Sequence, residues 1–270
     1  GTMIRYKTTG YPTSISDGAL VCNRTNTPGS TDTYLHAGLT PGVTCYYRAF
    51  AYDQSPLYAS GTTTTGVPIR MTCGGVKLLP DWTPVDLNGK TVTAVFPSDS
   101  TVYIEEQNRS AGIRVAASVS GISVGDTVNV SGVMGTTKPN GVNISEREVA
   151  SPNVTRVSAG TPLKPVTMPC RNVGGDSMFE LVPGVRDGSG LNNIGSLVQT
   201  AGKVTLIISN YLYVDDGSNI PDTGTRIGVM VKCPAAPTGV LVGDMIRACG
   251  IVEGSIPTGW TTNRRLIHMR

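Results

Sequence analysis

Apolar and polar positions along this chain alternate in short runs broken by turn residues. Met3-Ile4-Arg5-Tyr6-Lys7 reads as a strand, and Gly10-Tyr11-Pro12 and Ser16-Asp17-Gly18 read as turns. Further strands are predicted over residues 19–23, 33–36 and 57–63, with a longer one running to Asp53. Spacing at 3.6 residues, the signature of an amphipathic helix, is missing throughout. No apolar run reaches the roughly 18 residues that a spanning helix needs.

From residue 87 onward the chain repeats itself. Leu87-Asn88-Gly89-Lys90-Thr91-Val92-Thr93 is matched by Thr200-Ala201-Gly202-Lys203-Val204-Thr205-Leu206. Val102-Tyr103-Ile104-Glu105-Glu106 is matched by Leu212-Tyr213-Val214-Asp215-Asp216. Val124-Gly125-Asp126 through Gly132 is matched by Val242-Gly243-Asp244 through Gly250. The second copy is longer, and its extra residues fall around Gly217 to Arg226, where a loop tolerates them. Each copy reads as a long glycine-bearing strand, a hairpin, a V-G-D turn into a fourth strand, and a closing fifth.

Composition sharpens this picture. Only 15% of the 270 residues are charged, and 33 glycines with 18 prolines suit many short strands and tight turns. The length allows about two or three domains. The net charge of +3 argues against a nucleic-acid partner, which shows as a strong basic patch. No signal peptide is visible, and a start at Gly1-Thr2-Met3 is compatible with a leader already removed. The six cysteines lack C-x-x-C spacing, and two histidines are too few for a zinc finger, so no metal or cofactor is expected. An even, widely spaced set suits disulfides in an oxidising compartment; six buried thiols are the alternative.

Leu39, Pro41, Gly42, Tyr46, Tyr47, Arg48, Ala51, Tyr52 and Asp53 resemble the corner and sixth strand of a fibronectin type III domain. The resemblance covers the back half of that sandwich, residues 1–68, and implies that two strands are supplied from elsewhere. Cys45 shares a strand face with Tyr47, Ala49 and Ala51 and stands where the family has its corner tyrosine. A Cys22–Cys45 bridge in place of that corner is the expectation.

The repeated strand order resembles the OB-fold, a five-stranded barrel, and looks like tandem modules of large secreted bacterial proteins. The expected architecture is all-β: the partial fibronectin type III-like sandwich (1–68), a linker (69–80), a first OB-fold (81–160), then a linker and second OB-fold (161–270). A Cys233–Cys249 bridge would join the third and fourth strands of the second barrel, with Cys73 and Cys170 stapling the linkers. OB-folds bind ligands on strands two and three and the flanking loops. That nominates Tyr103 and Arg114 in the first repeat. In the second it nominates Tyr211, Tyr213, Trp260 and Arg264, as aromatic and cationic partners for a glycan or, less readily, single-stranded nucleic acid.

Catalytic sets are missing. Glu105-Glu106 and Asp215-Asp216 are adjacent on strands, so their carboxylates diverge. Asp215 to Asn219 with Asp222 departs from the calcium-loop pattern. Trp82 reads as a plug at the entry to the first repeat. The expected function is therefore non-enzymatic: an extracellular or cell-surface structural or adhesive protein, self-associating by strand complementation. The alternative is a glycan-binding module.

Overall fold

A computed structural model describes every residue except 32, 37, 41, 56, 69, 70, 118, 119 and 140. Pro41 of the corner motif therefore lies outside the described residues, as do two positions of the expected linker. The fold is all-β and divides into two compact units, Gly1–Arg70 and Met71–Arg270.

The first unit is one antiparallel sheet. Its strands are β1 (Thr2–Lys7), β2 (Ala19–Arg24), β3 (Cys45–Ala51) and β4 (Thr62–Gly66), in the order β2-β1-β3-β4. The predicted strand at 33–36 does not form, and the last strand lies at Thr62–Gly66, several residues beyond its predicted start. Among the described residues only Met3, Pro12, Cys45 and Phe50 are buried. Small domains need a core of their own to offset chain entropy, so this sheet is a layer with little packed upon it.

The second unit opens with a short helix, α1 (Cys73–Val76), inside the stretch read as linker. Thr72 caps it by accepting from the Gly75 N–H at 3.0 Å, and Cys73 and Val76 enter the core. Next come β5 (Pro84–Phe96), β6 (Thr101–Glu105), β7 (Gly112–Val115), β8 (Thr127–Thr137) and β9 (Glu146–Ser158). They close a barrel in the order β5-β6-β7-β9-β8 around Val85, Leu87, Ile104, Ile113 and Val130.

The rest comprises β10 (Val166–Thr167), β11 (Leu197–Ile208), β12 (Tyr211–Asp215), β13 (Val229–Lys232), β14 (Met245–Val252) and β15 (Leu266–Met269). These form a six-stranded sheet ordered β10-β11-β12-β13-β15-β14, and β11 also pairs with β14.

The V-G-D turns have the same construction in both halves. Gly125 and Gly243 take φ of +97° and +103°, a region that glycine enters freely. Their N–H groups donate to Val92 O at 2.9 Å and Val204 O at 2.8 Å. The Asp126 and Asp244 carboxylates accept from the Ser123 and Leu241 N–H groups at 2.9 and 2.8 Å. Glycine recurs on β8 and β14 because the neighbouring strand leaves no room for a side chain. A Cβ at Gly132 would stand 2.8 Å from Ala150 O, and one at Gly250 would stand 2.2 Å from His268 O.

All six cysteines are free, which corrects the three expected bridges. Cys22 faces Ile4 and Ile4 faces Ala49. Cys45 lies four residues further along β3, about 13 Å at strand rise, well beyond disulfide reach. Cys233 packs with Val231 and Ala248, whereas Cys249, next to Ala248, turns to the opposite face against the cluster of Leu197 and Ile251. Cys73 and Cys170 belong to separate cores. Four of the six thiols are buried.

Candidate functional site

Two regions carry unusual surface or chemistry. The first is one face of the sheet in the first unit. Strand alternation puts Ile4 and Tyr6 of β1 beside their register partners Ala49 and Tyr47 of β3. The Tyr6 and Tyr47 rings stack with centroids 5.9 Å apart, and His36 meets Tyr6 edge-on at 4.4 Å. Tyr47 Oη lies 3.1 Å from His36 Nδ1. Burial lowers the His36 pKa and pushes the Tyr47 hydroxyl up to about 12, so both are neutral at pH 7. Ile4, His36, Tyr47 and Ala49, together with Val21, Tyr34 and Thr64, line a groove of about 430 Å³. Its wall continues to β4, where all five residues are exposed.

The second region lies where the closed barrel meets the second sheet. Ala94, Phe96 and Tyr103 of the barrel pack on Leu197 and Ile251. Glu105 Oε2 accepts from Arg109 Nη1 at 2.5 Å and from the Leu197 N–H at 3.2 Å, while Arg109 Nη2 donates to Leu197 O at 2.6 Å. One acid and one base thus hold both polar groups of a single peptide position. Lys77 is buried and donates to Ile194 O at 2.6 Å; loss of solvent lowers its pKa. The Tyr103 hydroxyl donates to Glu146 Oε2 at 3.0 Å. Burial, reinforced by the Glu253 charge, pushes the Glu146 carboxyl up to about 8.

The six residues nominated as ligand contacts do not form one surface. Tyr103 and Tyr213 are buried, so neither ring is a stacking platform. Tyr213 donates to Asp222 Oδ2 at 2.8 Å, and Arg264 joins it, with Nη1 3.3 Å from the Tyr213 hydroxyl and 3.5 Å from Asp222. These two nominated residues do meet, on a carboxylate from the longer loop of the second repeat. Arg114 pairs with Glu148 at 3.2 Å and donates to Thr101 Oγ1 at 3.0 Å. Tyr211 sits opposite Lys232, half-buried. Trp260 is half-buried with the Arg186 guanidinium 4.7 Å above its ring. Trp82 is no plug: it is 79% exposed, at φ +67°.

The acidic pairs diverge in structure too. Glu105 faces Arg109, whereas Glu106 accepts from Lys90 Nζ at 2.6 Å and the Cys73 N–H at 2.9 Å. Asp215 accepts from the Gly217 and Asn219 N–H groups, and Asp216 from those of Cys170 and Ser218. These carboxylates build loops and do not converge on a cation.

Glu146, Arg147 and the Tyr6–Tyr47 pair went unnoticed in the sequence. For the tyrosines a signal existed, since each occupies an inward-alternating position on a predicted strand. For Glu146 and Arg147, polar residues opening a strand, nothing in the local pattern marks burial. Compared with known proteins, the chain matches no family model, no curated protein and no solved structure.

Proposed function

We propose that this chain is a non-enzymatic structural or adhesive protein of the cell exterior, which associates with copies of itself through the sheet of its first unit. In this reading the sheet is a fibronectin type III-like layer completed by a strand from a second copy. The two strand rings of Met71–Arg270 are OB-folds that act as a spacer.

The observation that carries the reading is the pairing of an unfinished face with one unguarded edge, β4. The unit buries only four described residues. Strands β2 and β4 each pair on one side only. Native edge strands are normally blunted by lysine, proline or a bulge. Strand β4, Thr-Thr-Thr-Thr-Gly, carries neither charge nor proline, whereas β2 is bulged opposite Ile4 and Arg5 and ends in exposed Arg24. A second chain adding to such an edge gains main-chain hydrogen bonds and covers the Ile4–Tyr47 groove at once. The net charge of +3 is too small to oppose association strongly.

Sedimentation velocity across a concentration series tests this. The expected result is a reversible oligomer that dissociates when Thr63 and Thr65 are both replaced by lysine. A strict monomer at high concentration, or an oligomer indifferent to the lysines, overturns it. Glycan binding has less support, because two of its nominated rings are buried.

A further inference from the structure

We propose that Asp99, Glu253 and His268 bind one divalent transition-metal cation, zinc foremost, that clamps the closed barrel to the second sheet. Asp99 ends the turn Pro97–Asp99 between β5 and β6, Glu253 follows β14, and His268 lies on β15. Each offers one ligand atom, and the three atoms lie within 4.8 Å of one another, the one such group among the described residues.

The cluster is built around a buried histidine. His268 is 6% exposed, and Phe96 stacks flat on its ring at 3.8 Å and 2°, which fixes the plane of the imidazole. Its Nδ1 stands 3.0 Å from Glu253 Oε2 as an ion-pair contact, without the alignment of a hydrogen bond. A buried imidazole and carboxylate this close need a proton or a cation between them. Two ligand atoms each about 2.1 Å from a shared zinc ion stand about 3.0–3.4 Å apart; the His268–Glu253 pair has that spacing, and Asp99, within 4.8 Å, would close on the ion.

The donor set selects the metal class. One imidazole with two carboxylates suits zinc, cobalt, nickel or iron, whereas calcium and magnesium call for oxygen-rich shells. Three protein ligands leave a further position for water. Lys232 holds Asp99 Oδ2 at 3.1 Å, so its ammonium both positions this ligand and competes with a cation for its charge.

The test is titration of the chelator-treated full chain with cobalt(II), followed by visible absorption, with zinc competition. The expected result is one equivalent bound with no thiolate-to-cobalt charge-transfer band, which excludes the six cysteines. Asp99→Asn and Glu253→Gln should each weaken binding at least about tenfold, the loss that removal of even an outer partner brings. Lys232→Met should tighten it, which a purely structural ion pair would not do. Asp99 is exposed, so its variant remains informative if changes at His268 impair folding. Failure to bind at millimolar metal, a thiolate band, or affinity unchanged in both acid variants overturns the proposal.

Discussion

The Tyr103 hydroxyl donates to the Glu146 carboxylate at 3.0 Å, with both side chains shut away from solvent. Burial raises the Glu146 carboxyl from 4.5 to about 8, with Glu253 adding repulsion and Arg114, Tyr103 and Lys77 working against the shift. Below 4.5 the group is protonated in both folded and unfolded chains. Between 4.5 and 8 the folded chain holds the extra proton, so each pH step upward favours unfolding. The thermal midpoint should therefore fall as pH rises from about 5 to about 8. Glu146→Gln should flatten that slope, and an unchanged slope in calorimetry of the variant would contradict the assignment.

Arg147, buried at the start of β9, holds the chain that leads into the barrel. Its Nε donates to Lys77 O at 3.1 Å, and its two terminal nitrogens reach Asp81 and Leu79 O. Arg147→Met should cost about 3 kcal/mol in urea unfolding, because three acceptors lose one shared donor group. Arg147→Lys should recover little, since a point charge cannot span the three.

Gly112 and Gly195 touch backbone to backbone. A Cβ at Gly112 would stand 2.2 Å from Gly195 O, a main-chain atom. Gly112→Ala should cost about 2 kcal/mol. It should also speed proteolysis between residues 186 and 196, where the chain enters β11. Arg109→Lys should act in the same direction more weakly, by releasing Leu197 O.

Thiol titration of the denatured, unreduced chain should count six groups. In the native state Cys73 should resist alkylation at pH 8, because burial pushes its thiol up to about 12 and leaves almost no thiolate. A count of four or fewer would restore at least one bridge.

Periodicity made the all-β class and the closed barrel legible. Alternation around Val102 to Glu105 and the V-G-D turn at Asp126 carry enough local information to place strands and the corner between them. Cysteine chemistry was not legible, because pairing depends on register: one residue's difference puts Cys249 and Ala248 on opposite faces. Nor was the cation cluster. Asp99, Glu253 and His268 are far apart along the chain and follow no spacing rule; two sheets must meet before they become neighbours. The aromatic nominations failed for a related reason, since alternation alone does not say which side of Tyr103 or Tyr213 another layer will cover.

The contact at Gly112 and Gly195 also bears on how the molecule varies. There the two main chains abut, so a side chain at either glycine would push the closed barrel away from the segment that enters β11. Tolerance to change at this seam is therefore set by backbone clearance and not by solvent exposure.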